Sequence, residues 1–427
     1  MRLPAAPGLT HRRPMTRRLA VALFAAFAFT YFFSALVRAV IATLAPVFSD
    51  ELGLTAADLG LLAGTYFLGF ALIQLPLGSA LDRFGPKRVL LGFLAVAVLG
   101  CALFAQAQTF AGLTAARALI GIGVGACLMA PMTSYRLRFQ PQAQMRAASW
   151  MLMTGSLGMV ASTLPVQWLL PSVGWRGMFW LLAGLFAFGM AAIAWVVPPD
   201  ASAGLGASRS PQAAGGGYRA VFAHPTFRRF LPMAFFHYGG LLALQSLWIG
   251  PWLSRVCGWT PQAAAGGLFA LNLSMLFSFL AWGVLVPRLY ARGWTAQSLI
   301  ARGLPVSLAL LLLALVLGEA ATVPVWATFC VCSTLITLAQ PAVGQAFDPA
   351  LAGRALSAFN LVVFAGVFAL QWTIGGAIDL LQAVGWGVAD AFRGAFGLLA
   401  AGCIGAYVWF LWCDDAPKWP RSAQGDG

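Results

Sequence analysis

The sequence has little charge and few acidic residues. Only 9% of its 427 residues are charged, and its 26 Lys and Arg outnumber its 12 Asp and Glu. Soluble chains carry about 25% charged residues. Hydrophobic residues make up 60% of the chain, and the mean hydropathy is +0.83. This composition excludes a soluble globular protein and indicates a chain that lies largely in a membrane.

The sequence also lacks the patterns that catalysis and metal binding require. Its seven cysteines form no disulfide or metal framework, and Cys330-Val331-Cys332 lacks the spacing of a zinc or redox motif. There is no phosphate-binding loop, no nucleophile with a histidine and an acid in reach, and no cluster of metal ligands. We therefore expect no enzymatic activity, no cofactor and no metal site.

Apolar runs of membrane-spanning length, about 20 residues each, follow one another along the chain. They predict an all-α membrane protein with twelve transmembrane helices. The predicted spans are 18–46, 59–80, 89–106, 111–134, 147–170, 177–197, 228–250, 262–283, 298–317, 321–345, 355–378 and 392–413.

The positive charges predict how these spans are oriented. Nearly all Lys and Arg outside the spans fall in alternate loops, and only Arg176, Arg255 and Arg393 are predicted on the opposite side. Cytoplasmic loops carry such an excess of cations, so both termini are predicted in the cytoplasm. The net charge of +14 thus orients the protein, and it does not indicate a nucleic-acid partner.

A linker divides the spans six and six. The stretch 198–218 is rich in Ala, Gly, Ser and Pro, which is typical of a flexible connection. The predicted organisation is an N-terminal tail, a six-helix half, a cytoplasmic linker, a second six-helix half and a C-terminal tail, at 1–17, 18–197, 198–227, 228–413 and 414–427.

Three short patterns recur about half a chain length later and in the same order. Gly78–Arg88 (GSALDRFGPKR) is echoed in weaker form by Gly283–Gly293 (GVLVPRLYARG). The other two echoes open the last span of each half, Arg176-Gly177 and Arg393-Gly394, and precede spans 5 and 11, Arg146 and Arg354. We infer that the protein is a duplicated bundle.

The chain resembles the major facilitator superfamily. Gly78–Arg88 is similar to that superfamily's loop signature between spans 2 and 3, and Arg117–Gly125 (RALIGIGVG) is similar to its span 4 motif. The resemblance implies two pseudo-symmetric six-helix bundles around a central substrate cavity, working by alternating access. It also implies a cytoplasmic gate formed by Gly78, Asp82, Arg83, Gly85 and Arg88. The alternative for this loop is a solvated turn that only sets topology.

Arg38 is the main indication of a substrate. It interrupts the apolar residues of span 1, where an arginine costs about 2.5–3.5 kcal/mol, and no acid lies in that span. A bound anion is a natural counter-ion, and Tyr31–Arg38 looks like span 1 of organic-anion and organophosphate carriers in the superfamily. The alternative is that Arg38 bonds backbone carbonyls near the outer face.

Other polar residues inside the spans are further candidates for binding substrate. The amides could instead tie helices together, and the resemblance implies a structural or proton-linked role for the span 4 arginine. The candidates besides Arg38 are Tyr31, Gln74, Arg117, His237, Gln245, Asn272, Gln340, Asn360 and Gln371.

These observations favour a secondary transporter of a small organic anion, such as a carboxylate, in the inner membrane of a bacterium. No acid lies deep in a span, so proton coupling would have to run through His237 or the substrate's own carboxylate. The alternatives are a drug or metabolite exporter, which should show acidic residues in its cavity, and a membrane receptor that moves nothing. Nothing in the sequence demands more than a monomer in the bilayer.

Overall fold

The computed structural model describes residues 16–199 and 217–413, and within these ranges it contains helices and no strands. We number the main helices α1 to α12. They are Arg17–Leu52, Ala56–Leu72 with Gln74–Phe84 (together α2), Pro86–Gln106, Phe110–Arg138, Pro141–Ala161, Leu164–Val196, Pro225–Val256, Pro261–Ala291, Ala296–Ala320, Val323–Gln345, Pro349–Ala383 and Val388–Trp412.

The prediction of an all-helical membrane bundle is confirmed, with one difference in the number of spans. In the described ranges, ten single helices are long and apolar enough to cross a membrane, and the two segments of α2, bent by 45°, form an eleventh. The twelfth, α5, is a helix of 21 residues. It is long enough to cross a membrane but not apolar enough, because its first turns, beginning at Pro141, carry Gln, Arg and Ser among the apolar residues.

The boundary between the predicted fifth and sixth spans is a kink rather than a gap. Helix α6 begins at Leu164, within the predicted fifth span, and continues past Gly174, whose φ of 64° breaks the helical path. Beyond the kink, Trp175 and Arg176 bond the carboxylate of Glu51 at the end of α1, at 2.9 and 2.8 Å. These contacts fix α6 against α1 at the outer face that the charge pattern predicts.

Helices α2 and α4 approach each other closely within the first half. A Cβ atom at Gly121 of α4 would lie 2.0 Å from the carbonyl oxygen of Tyr66 in α2. Any side chain there would push the two backbones apart, so glycine is what permits this packing. The contact places Tyr66 and Arg117, one turn before Gly121, at the same level of the bundle.

The two halves meet through a few helices. Helix α1 packs against α7, α2 against α11, and α5 against α8. Of the predicted cytoplasmic linker, the short helix Tyr218–Ala223 lies against α11. Residues 200–216 of the linker, residues 1–15 and the C-terminal tail lie outside the described residues.

Substituting Gly121 tests the α2–α4 packing. We expect Gly121→Ala to lower the unfolding midpoint of the purified protein, because overpacking typically costs about 1–3 kcal/mol and exceeds the helix propensity that alanine gains. Gly92→Ala is the matched control, since nothing lies within 4 Å of a Cβ at that helical glycine. Equal midpoints for the two variants in a thermal-unfolding assay would contradict the close approach.

Candidate functional site

Arg117 is a tie between helices in the first half. Its side chain is fully buried, Nη1 donates to the carbonyl oxygen of Val37 at 2.9 Å, and Nη2 donates to that of Arg38 at 3.5 Å. Its guanidinium carbon lies 4.9 Å from the centre of the Tyr66 ring. Backbone carbonyls and an aromatic face therefore surround this cation, and α4 is joined to α1 and α2 through it.

Arg38 differs from Arg117 because its guanidinium lacks protein partners. The residue is half-buried, its Nε atom is buried, and the group forms no hydrogen bond or ion pair with any described residue. Every described acid lies in a loop or near the end of a helix: Asp50, Glu51, Asp58, Asp82, Glu319, Asp348, Asp379 and Asp390. The described interior thus supplies no carboxylate to Arg38.

Two tyrosines, one from each half, lie within electrostatic range of Arg38. The arginine is near enough for its charge to act on the hydroxyls of Tyr66 in α2 and Tyr238 in α7. Tyr31, two turns before Arg38 on α1, is also a neighbour of Tyr238. Tyr238 ends a π-helical turn, Met233–Tyr238, and such turns are frequent at functional sites. An arginine can hold a carboxylate by charge-assisted hydrogen bonds, and tyrosines nearby can add hydroxyl donors and rings for an aromatic or apolar body.

The predicted amide candidates form separate pairs rather than one cluster. Gln245 donates to Asn272 at 2.8 Å, and Gln340 donates to Asn360 at 3.0 Å. These contacts link α7 with α8 and α10 with α11, as amides that tie helices do.

Two further amides and one histidine complete the set of candidates. Gln74 donates to the Phe70 carbonyl at 3.2 Å, and Gln371 donates to Ser246 at 3.0 Å while its Oε1 stays buried without a partner among the described residues. His237 is also buried, and its Nε2 lacks a described partner. A role for these residues in binding substrate stays a prediction.

The predicted cytoplasmic gate loop is exposed in this conformation. Gly85 joins α2 to α3 with a φ of 80°, and Asp82, Arg83 and Arg88 are exposed. The Asp82 carboxylate has no hydrogen bond or ion pair with a described residue, and Arg83 lies over the ring of Phe84 at 5.0 Å. Gly78 also borders open space. Asp82 therefore does not bond the second half in this conformation, and the gating role of the loop stays a prediction.

Lys87 of the loop and Arg138 at the end of α4 hold the end of α6 instead. Lys87 donates to the carbonyl oxygens of Ala194, at 2.7 Å, and Val197, and Arg138 donates to that of Pro198 at 3.0 Å. Cations are favourable at helix C-termini, where the last carbonyls lack partners in the helix. Lys87 of the signature run therefore contributes to the predicted cytoplasmic end of the first bundle.

Asp379 joins the two halves at the opposite side of the membrane, and the sequence analysis missed it. One turn before the end of α11, its Oδ1 accepts from the Ala56 amide at 3.0 Å and its Oδ2 from the Ala57 amide at 2.7 Å. Thr55 accepts from the Asp58 amide at 3.2 Å. The amides of the first turn of α2 are thus satisfied partly from the other half of the protein.

The contact continues inward along the same two helices. A Cβ at Gly60 of α2 would lie 2.2 Å from the Gln371 carbonyl oxygen of α11, so the backbones touch. Further along, the rings of Phe70 and Phe364 lie 4.5 Å apart between centres. The two halves are therefore in contact at the ends of α2 and α11 that the charge pattern predicts to face outward, as one of the two arrangements of alternating access requires.

Comparison with known proteins agrees with the membrane bundle described above. The model of the Major Facilitator Superfamily matches residues 27–371. A 3-(3-hydroxy-phenyl)propionate transporter of Escherichia coli K12 is 29% identical over 257 residues, 60% of this chain and 59% of that protein. A chloramphenicol resistance protein of Pseudomonas aeruginosa is 31% identical over 163 residues, 36% of this chain and 37% of that protein. Each match spans less than two thirds of the relative's length.

Solved structures share the fold at low sequence identity. A bacterial homologue of the human lysosomal transporter Spinster, crystallised in an inward-facing and unoccupied conformation, has a TM-score of 0.76 and 16% identity. The likeness covers 93% of this chain and 98% of that one. It supports the architecture described above.

Removing the Asp379 carboxylate should loosen the outer contact. Loss of an N-cap side chain costs about 0.5–2 kcal/mol, so Asp379→Ala should raise exposure of the outer junction roughly two- to thirtyfold. The measurement is the rate at which a membrane-impermeant maleimide labels Ser49→Cys, whose native hydroxyl is buried beside a small outer cavity between α1 and α7. Cys257→Ser supplies the background.

Two variants calibrate that measurement. Asp379→Asn keeps one oxygen acceptor and should lie between the wild type and Asp379→Ala. Glu319→Ala removes an exposed acid on the predicted outer side but away from that cavity and should leave labelling unchanged. Equal labelling of Asp379→Ala and the wild type would show that the carboxylate does not hold the two halves together.

Proposed function

The chain belongs to the Major Facilitator Superfamily, and we propose that it is a secondary transporter that moves a small organic anion across the bacterial inner membrane by alternating access. The substrate class is a carboxylate with an aromatic or other apolar body. The observation that carries this proposal is the guanidinium of Arg38, which lies inside the bundle without a protein partner.

The cost of an unpaired charge supports a bound anion. An arginine in the middle of a span costs several kcal/mol on insertion scales and is normally paired or turned toward water. Arg117 meets this requirement with carbonyls and a ring. Arg38 lies beside it without such contacts, and a carboxylate would supply them through charge-assisted, two-point hydrogen bonds.

The surroundings of Arg38 support an acid with a ring or an apolar body. Tyr66 of the first half and Tyr238 of the second half lie within electrostatic range of Arg38, and Tyr31 is a neighbour of Tyr238. Their hydroxyls can donate to the carboxylate, and their rings can stack on the remainder of the substrate. A substrate held between residues of both halves is placed where rocking of one half against the other can change its access. The matched 3-(3-hydroxy-phenyl)propionate transporter supports this class.

Proton coupling in this chain would have to proceed without a carboxylate deep in a described span. Among the described residues, no carboxylate lies deep in a span, so a relay of acids has no candidate. His237 is a buried titratable group with an unpartnered Nε2. The substrate's own carboxylate is the other group that could carry a proton inward.

The second candidate function is export of a drug or metabolite. The matched chloramphenicol resistance protein and the aromatic side chains around Arg38 favour it. The two functions differ in the charge that the site should accept. A site built around an unpaired guanidinium should reject cations and accept anions, because like charges repel strongly at low dielectric.

Ligand-induced thermal stabilisation tests the proposal directly. A ligand at 100 times its dissociation constant stabilises the bound state by about 2.7 kcal/mol. We expect 3-(3-hydroxyphenyl)propionate or a related aryl carboxylate to raise the unfolding midpoint of the wild type. Arg38→Gln should lose about 2 kcal/mol or more of binding energy, a drop in affinity of roughly thirtyfold, and Arg38→Lys should retain part of it.

Matched ligands and variants give the controls. The primary amide of the same acid should not stabilise the protein, because it removes the negative charge and keeps the ring. Arg255→Gln removes an exposed cation near the outer face and should bind like the wild type. Equal binding of acid and amide, or equal binding by Arg38→Gln, would overturn the anion site, and stabilisation by cationic drugs alone would favour the exporter.

A further inference from the structure

An apolar groove runs along the side of α1 that faces away from the rest of the bundle. It has a volume of about 500 Å³, and one ridge of α1 forms its floor: Val21, Ala25, Phe29 and Phe33, spaced four residues apart. Thr154 of α5 contributes to its wall. Because residues four apart lie on one helix face, the groove follows the helix axis.

The groove is open because the flanking helices contact α1 on either side of this ridge. A Cβ at Gly158 of α5 would lie 2.2 Å from the Phe32 carbonyl oxygen, and one at Gly189 of α6 would lie 2.5 Å from the Thr30 side chain. Between these contacts Val21 is 60% exposed. Because α1 is long and apolar enough to cross a membrane, we expect this exposed surface to face lipid.

Arginines without described partners lie at the cytoplasmic end of the groove. Arg17 and Arg18 begin α1, both are exposed, and neither bonds a described residue. At about 100° per residue, they lie on either side of Val21. On the other wall, Arg146 and Trp150 precede Thr154 at four-residue spacing and are exposed. Tryptophan is typical of the level of lipid headgroups.

The length of the groove matches one leaflet of a bilayer. From Val21 to Phe33 the helix rises about 18 Å, and half of a bilayer's hydrocarbon core is about 15 Å thick. An acyl chain lying along the ridge would therefore bring its phosphate close to Arg17, Arg18 and Arg146. The arginines at one end fit the phosphate of a lipid, and the apolar floor fits its acyl chain.

We propose that this groove binds an anionic phospholipid of the cytoplasmic leaflet, with an acyl chain along α1 and the phosphate on the three arginines. Arg38 lies about two and a half turns beyond Phe29 and thus on the opposite face of the same helix. The lipid contacts the back of the helix that presents Arg38 to the interior. This inference depends on the membrane location of the chain and is independent of the transported substrate.

Native mass spectrometry of the purified full-length chain tests the site. Dioleoyl phosphatidylglycerol is titrated against dioleoyl phosphatidylcholine, which has the same acyl chains and no net charge. We expect tighter binding of phosphatidylglycerol. Arg17→Gln/Arg18→Gln should weaken that binding by about tenfold or more, since each cation near an anionic headgroup contributes about a fivefold factor.

Two more variants separate a defined site from general attraction. Arg288→Gln/Arg292→Gln removes two exposed arginines from the predicted cytoplasmic side of the second half and should leave lipid affinity unchanged. Ala25→Trp keeps the charges and fills the groove, so it should also weaken binding. Ala25 is exposed, and the unfolding midpoint of each variant verifies that it is folded.

Three outcomes would overturn the proposal. Equal affinity for the two lipids would exclude an anionic site. An equal loss in both arginine variants would mean that only the net charge of the cytoplasmic face matters. Unchanged binding by Ala25→Trp would place the acyl chain elsewhere.

Discussion

The structure depends on how two arginines are accommodated where water is scarce. A guanidinium inside a membrane protein must find acceptors, because neither lipid nor apolar side chains supply them. Arg117 uses backbone carbonyls of α1 and the ring of Tyr66, and in doing so it holds three helices of the first half together. The Arg38 carbonyl accepts from Arg117, while the Arg38 guanidinium has no described partner and lies within electrostatic range of Tyr66 and Tyr238. One cation therefore stabilises the bundle, and we propose that the other binds the substrate.

A second constraint concerns the helix pair that joins the halves. The first turn of α2 has amides that its own helix cannot satisfy, and Asp379 of the other half accepts from two of them. At the opposite end of α2, Asp82 is exposed and has no described partner. An acid thus lies at each end of the α2–α11 contact. The carboxylate at the predicted outer end bonds the other half, and the carboxylate at the predicted inner end has no described partner. The part-buried contact of Asp379 with the α2 amides suits a gate, because a weak contact near solvent can break and re-form at little cost in free energy.

Composition and repeats predicted the membrane bundle, and the resemblance of Gly78–Arg88 and Arg117–Gly125 to the superfamily's motifs predicted the family; both predictions are confirmed. Arg38 could be singled out because a charged residue within an apolar run is evident from the sequence alone. Asp379 could not, since its partners lie more than 300 positions away in sequence and an acid at the end of a span is indistinguishable from a solvated one. Tyr238 could have been noticed beside His237, but a sequence does not show which face of a span meets the other half. For the same reason the pairing of Gln245 with Asn272 was not foreseen.

The most direct test of the central claim is an experimental structure of the protein with a bound aryl carboxylate such as 3-(3-hydroxyphenyl)propionate. Our account predicts the carboxylate within hydrogen-bond distance of the Arg38 guanidinium, with Tyr66 or Tyr238 hydroxyls in contact with it. Arg117 should remain on the carbonyls of α1. A ligand bound elsewhere, with the Arg38 guanidinium turned onto backbone carbonyls, would contradict the account.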